Sequence, residues 1–545
     1  MAGSAPGVVL APAAGAPGSA SGSASGFASE RPAASICAGK SVTIVASTRV
    51  RQGTEGDDVV AMKPLDWNTF DALGGDDTIC LDLGWVQAGR DIVPSSGFLN
   101  AGPGDDVVIN LADSFGFMAV GLGSGDDHFT GSSFPGMNES VYADTDVVDY
   151  AEKPPAVDPA GEHRDVIDMG DGRGTDEYGN EGGEVLWSAA PPGASNPDRI
   201  TFGTGTPELH YDGAMAPEGS IDFGGSSEVS LHLPRPGATE PLTAGEVLID
   251  NVARRASVAG TQVLAWQGQV SRFVLGTEGR RWPLPVSFQG SDADETLTFY
   301  GGMFGDLRFG AGNDSLSGSG RFGYSEGLRF RSMDGGPGVD YAGFRTGCRD
   351  LTIRLAGEIS CGGTTAPFRG IERVEPLSRA DGGHVTVVGT DADDWIAARA
   401  ERVTVRAGAG DDDVDGAWGD SVRVHAGPGD DTVLGSGDKV RVDGGAGEDG
   451  VRVYGLDLLV RLGSGADIVS LHALSGRWPW SKPSDPSRRA VAFGGPGNDD
   501  LRGTTWARRG DRLVGGPGRD RADGRSDRVT GVRDHCDAEV RRRCR

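Results

Sequence analysis

Five aspartates, Asp394, Asp412, Asp431, Asp449 and Asp467, recur at steps of 18, 19, 18 and 18 residues. The six residues ending on each are GTDADD, AGAGDD, AGPGDD, GGAGED and LGSGAD. The shared pattern is G-G-x-G-x-D-x-U-x, where U is a large apolar residue. A carboxylate beside a turn whose carbonyls are unshielded by side chains is an all-oxygen donor set. Hard cations such as calcium prefer oxygen ligands. Glycine supplies backbone angles that other residues reach only with strain, and it lets a neighbouring backbone approach closely.

The elements that must position these turns follow from the same spacing. Ile396, Val414, Val433, Val451 and Val469 each stand two residues after the aspartate and open a strand. Val403/Val405, Val422/Val424, Val440/Val442 and Leu458/Val460 form a second set with strand alternation. Two half-units make one coil of about 18 residues, and fixed self-similarity of this kind predicts a stacked repeat. Adjacent strands lie about 4.8 Å apart. Carboxylates at roughly 5 Å repel by about 3 kcal/mol at an effective dielectric of 20. A divalent cation between successive turns reverses that sign and couples metal binding to folding. The other half of each unit carries AARAERV, GAWGDSV, GSGDKV and YGLDLL, which mostly lack ligands, so cations are expected along one edge only.

These residues resemble the RTX, or haemolysin-type, calcium-binding nonapeptide repeat of secreted bacterial proteins. The resemblance covers about half the chain and implies an all-β parallel β-roll or β-helix solenoid, degenerate in its middle. It implies several calcium ions held by the carboxylates of Asp58, Asp77, Asp106, Asp127, Asp314, Asp340, Asp394, Asp412, Asp431, Asp449, Asp467, Asp499 and Asp520. Glu295 stands where the pattern wants an aspartate. Asp106 and Asp340 lie apart from the registered run, and a site there needs a neighbouring turn on the same edge. The opening cysteine, the TIV strand and the later GGDDTIC resemble the first repeats of such proteins from high-GC bacteria, which implies pairing of Cys37 with Cys80.

Composition agrees with a repeat of glycine turns. Glycine is 90 of 545 residues, and Asp+Glu number 79 against 51 Lys+Arg, a net charge of −28. Such a field disfavours nucleic acid and anionic membranes and favours cation uptake. No run approaches the ~18 apolar residues of a membrane helix. Six cysteines, Cys37, Cys80, Cys348, Cys361, Cys536 and Cys544, include no CxxC, so neither a zinc nor a redox motif is supported. Their even number fits staples in an exported protein. Sequential pairing is the simplest of the 15 connectivities.

Five regions follow. Residues 1–36 are an Ala/Gly/Ser/Pro-rich leader with a signal-like apolar stretch at 7–16 and an A-x-A site at Ala14–Ala16. No Lys or Arg precedes Arg31, so this is either a signal peptide with its basic start further upstream or a flexible leader. Residues 37–130 carry the first calcium-binding repeats. Residues 131–288 keep strand-like pieces but lose the glycines, and read as a degenerate solenoid or a separate β-rich region. The acidic segment Asp168–Glu184 reads as a solvated loop or a further cation site. Residues 289–502 hold the main roll. There CRDLTIRLAGEISC reads as a disulfide-closed hairpin or loop, and 472–490 as an insertion bearing Trp478 and Trp480. Residues 503–545 add a terminal repeat and an Arg-rich cap that blunts an exposed edge.

No catalytic motif emerges. HExxH, G-x-S-x-G and a P-loop are all absent. The eight histidines are scattered and none pairs at ligand spacing, so they read as surface or strand residues. The acidic pairs that glycoside chemistry would use are already explained by the turns. The sequence therefore describes a non-enzymatic, exported, calcium-binding solenoid with a structural or surface-interaction role. The alternatives are a calcium-dependent polysaccharide lyase or epimerase, and an adhesin binding extracellular polysaccharide.

Overall fold

The computed structural model describes residues 36–544 except 48, 63–68, 82–85, 89–90, 94, 113–115, 135–136, 145–162, 171–183, 191–193, 227, 234–244, 277–284, 301–302, 319–330, 379, 474–488, 505–509 and 525–533. The leader, most of the acidic segment after Asp168, and the part of the 472–490 insertion holding Trp478 and Trp480 lie outside the described residues. Among the described residues every element is a β-strand, and no helix is long and apolar enough to cross a membrane. The fold is all-β.

The strands pair almost wholly in parallel, in long ladders. One ladder runs through Ile44–Ala46, Val59–Met62, Thr78–Leu81, Val107–Asn110, His128–Thr130, Val166–Asp168, Arg199–Thr201 and Ser220–Asp222. A second starts at Thr69–Asp71 and passes through Gly116–Ser124, Val185–Ala189 and Ser230–Leu233 to Arg272–Leu275, Thr296–Phe299 and Ser315–Gly318. It continues to Val540–Arg542, so parallel pairing crosses 131–288 without a break. A third ladder joins Pro285–Gln289 to Met303–Arg308, and a further part of it joins His384–Val388, Arg402–Arg406 and Ser421–Pro428.

Register explains the sequence period. Val403, Val422, Val440 and Leu458 are direct partners in successive strands, as are Val414, Val433, Val451 and Val469. A fixed step puts the same residue type on the same rung, so the alternating valines all point into one core and are buried. In the region poor in glycine the core is aromatic instead. Phe202 stacks on Phe223 at 5.4 Å, and Phe273, Phe288 and Phe309 follow one another at 5.3 Å. Rings of this size fill the interior where the regular valine rungs are absent.

Departures from parallel pairing are local. Val247–Asp250, Arg255–Val258 and Thr261–Ala265 form an antiparallel meander. Asp350–Arg354 and Gly357–Cys361 form the expected hairpin, closed by Cys348–Cys361. Cys37–Cys80 and Cys536–Cys544 are also bonded, so all three pairs are sequential.

Glycine is required where successive turns touch. At Gly429, φ is +138°, and a Cβ would stand 1.9 Å from the Gly410 carbonyl oxygen of the preceding repeat. Gly450, in the same region, has nothing nearer than 3.9 Å. Gly429→Ala is expected to destabilise the central repeats by about 3 kcal/mol, combining backbone strain with a main-chain clash. Gly450→Ala should change little, as measured by urea unfolding of the two variants.

Candidate metal centre

Within each stack, the backbone N–H of one predicted ligand acid donates to the carboxylate of the next. The Asp412 N–H donates to Asp431 Oδ1 at 2.9 Å, Asp431 N–H to Asp449 Oδ1 at 3.1 Å, and Asp449 N–H to Asp467 Oδ1 at 2.9 Å. Asp394 donates to Asp412, Asp467 to Asp499, and Asp499 to Asp520 in the same way. A second stack runs from Glu295 to Asp314 to Asp340, and a third from Asp58 to Asp77, Asp106 and Asp127. All fourteen sequence-predicted residues are therefore in stacks and buried. Asp106 and Asp340, which the sequence leaves apart, are stacked like the registered ones. The irregular steps around them are absorbed between turns, where they leave the register intact.

Sequence reasoning missed several members. Asp165 and Asp198 extend the stack that begins at Asp58: Asp127 N–H donates to Asp165 Oδ1 and Asp165 N–H to Asp198 Oδ1, both at 3.0 Å. Glu372 accepts from Asp340 N–H, and Glu539 from Asp520 N–H. Asp511 and Asp534 form a further pair. None sits in a glycine-rich hexamer, so the motif gave no signal. The acid before a short strand was the one available clue.

The residue preceding each aspartate builds an outer stack that runs the opposite way. Asp411 N–H donates to Asp393 Oδ1, Asp430 N–H to Asp411 Oδ1, and Glu448 N–H to Asp430 Oδ1. Asp57, Asp76, Asp105 and Asp126 repeat this arrangement. Each Asp-Asp pair thus reaches forward with one backbone N–H and back with the other. The acidic turns also change ladder. Those from Asp58 to Asp198 enter the first ladder, whereas those from Glu295 to Asp467, with Asp499, Asp520 and Glu539, enter the second; Asp511 and Asp534 open strands of the third.

The inner carboxylates have a second oxygen with no protein partner. This holds for Oδ2 of Asp77, Asp106, Asp127, Asp165, Asp314, Asp340, Asp412, Asp431, Asp449, Asp467, Asp499 and Asp520. Three acids are partly occupied by their own turns. Thr54 N–H and Oγ1 bond Asp58 Oδ2, and Thr390 does the same to Asp394 Oδ2, leaving its Oδ1 without a partner. Ser291 and Asn251 bond Glu295 Oε1, leaving Oε2 without a partner. Gly-Thr and Gly-Ser therefore mark the turns that begin a stack.

A buried charged group with an unmet lone pair costs about 1–3 kcal/mol or more. A stack of them must take up protons or a cation. Burial, with the neighbouring carboxylates adding to it, pushes Asp106 up to about 7, Asp127 and Asp314 to about 8, and Asp412 and Asp449 to about 7. Asp77, Asp340 and Asp499 rise to about 6 for the same leading reason. The donors are all oxygen, which fits a hard divalent cation. Asp144, Asp165 and Asp198 bring three buried carboxylate oxygens within 4.8 Å of one another. Burial raises all three, the Asp198 carboxylate adding to it at Asp144 and Asp165.

The expectation that no histidines pair at ligand spacing is corrected. His210 and His232, 22 residues apart, are direct partners in adjacent strands and meet Glu208. Parallel register brings together what sequence spacing keeps apart.

The sign of the pH dependence follows for the metal-free protein. A carboxyl whose folded pKa is raised contributes stability that is fully present below its unfolded value and lost as pH rises through the folded one. In chelator, the midpoint of thermal unfolding should therefore fall as pH rises from about 4 to about 8. Asp412→Asn should flatten that fall. Thermal scans of the chelated protein across this range check both outcomes. No family model matches the chain, and no curated protein is similar to it.

Proposed function

We propose that this chain is an exported calcium-binding β-solenoid, stabilised by the ions it binds, with a structural or surface-interaction role. The observation that carries the reading is the stacking of buried aspartates, twelve of which have an Oδ2 lacking a protein partner. The turns that carry these acids also bring glycine carbonyls close to the next repeat. At Gly465 and Gly497 an added Cβ would fall within 2 Å of the preceding glycine carbonyl oxygen. Carboxylate and carbonyl oxygens in a flexible turn suit calcium better than magnesium, which demands a tighter octahedron. The parallel ladders support stacked coils, and the exchange of ladder between Asp198 and Glu295 gives such a solenoid an acidic edge in each half, on opposite sides.

Three disulfides agree with export to an oxidising compartment. Outside the cell, calcium modules work with dissociation constants of roughly 10⁻⁴ to 10⁻³ M. At a hundredfold excess over such a constant each independent site adds about 2.7 kcal/mol. A metal-free chain would be loosened by its own carboxylates and would tighten on reaching calcium.

Far-UV circular dichroism and thermal unfolding in chelator, then in millimolar calcium, test the reading. A calcium-dependent gain in β signal and in unfolding temperature is expected, and neither changing would sink it. Asp431→Ala and Asp106→Ala should each lower calcium stoichiometry in equilibrium dialysis, because both aspartates are stacked on two neighbours. Asp57→Ala, on the exposed outer stack, should leave stoichiometry unchanged.

A further inference from the structure

We propose a second kind of metal site, for a borderline transition ion of the zinc(II) class, at Glu208, His210 and His232. It lies on the outward face of the second ladder and is independent of the calcium reading. Glu208–Asp212 and Ser230–Leu233 pair in parallel with Leu209 opposite Leu231 and His210 opposite His232. Both leucines are fully buried. Strand alternation then turns Glu208, His210 and His232 to the other face, where each is partly exposed.

The three ligand atoms converge. His210 Nε2 is 2.7 Å and His232 Nε2 3.0 Å from the same oxygen, Glu208 Oε1. All three side chains offer a donor within 4.8 Å of the others. Tetrahedral zinc, with bonds of about 2.0–2.2 Å, sets its ligand atoms about 3.3 Å apart. The two nitrogen–oxygen contacts therefore need to open by about 0.3 and about 0.6 Å, each ring carrying its proton on Nδ1 once Nε2 binds the ion.

The rings are held in place by a stack along the ladder. Tyr142 lies on Trp187 at 4.4 Å, Trp187 on His210 at 4.9 Å, and His210 on His232 at 4.0 Å. Such a shell fixes ring planes before the ion arrives. Imidazole nitrogen selects zinc, copper, nickel or iron over calcium, whereas the all-oxygen turns select the reverse. Three protein ligands leave coordination positions open, as catalytic rather than structural zinc sites do. Beside the triad is a cleft of about 670 Å³ lined by Glu208, Glu228, Ser230, Arg272 and Thr296 among others. A small ligand on the ion would have room there.

The test uses the untagged full chain in millimolar calcium. Zinc is titrated calorimetrically, and cobalt(II) is substituted and read by its visible absorption. One ion per chain is expected, with a cobalt spectrum of low coordination number. His232→Gln and His210→Gln should each weaken zinc binding by about tenfold or more, while the calcium-dependent circular dichroism stays as in the parent chain. His472→Gln, a histidine stacked on Tyr454 elsewhere, should not change zinc binding. No zinc uptake, uptake abolished by calcium, or uptake unaltered in both triad variants overturns the proposal.

Discussion

The structure turns on a stack of buried aspartates whose carboxylates are only half satisfied. One oxygen caps the backbone N–H of the neighbouring repeat at about hydrogen-bond length. The other oxygen has no protein partner. The first contact aligns the repeats. The second leaves a row of negative charge that burial makes expensive. Much else in the chain follows from keeping that row in line: the glycines that let turns approach, the valines that lock register, and the outer acids that bond in the opposite direction.

The two directions of hydrogen bonding matter together. The inner acid receives an N–H from the repeat before it, and the outer acid receives one from the repeat after it. Each turn is clamped from both sides by adjacent residues of one dipeptide. This accounts for Asp-Asp, Asn-Asp and Glu-Asp recurring at the turns, rather than a single aspartate. It also separates roles: the inner acids are buried and short of partners, whereas the outer ones are exposed and reach solvent.

Charge and core change together along the chain. In 389–470 identical valine rungs stack beneath identical acidic turns. Between Asp198 and Glu295 aromatic rings join the valines in the core, an antiparallel meander interrupts the parallel pairing, and most of the acidic turns pass from one ladder to the other. The histidine triad lies in this stretch. A face freed from strict repetition can carry different side chains on successive rungs, as Tyr142, Trp187, His210 and His232 do.

The amino-acid sequence by itself determined the strand period, the inward valines and the acidic turns. These are local features, written into spacing and residue type at every repeat. Tertiary structure alone decided the rest, because register is set by pairing between strands that sequence distance does not measure. It stacked Asp106 and Asp340 across steps of 21 to 32 residues, and recruited Asp165, Asp198, Glu372 and Glu539 without any glycine motif. It also set His210 against His232, a pair invisible to a search for ligand spacing along one strand or one helix. Insertions that lengthen a turn change the count of residues but not the rung on which the next strand lands.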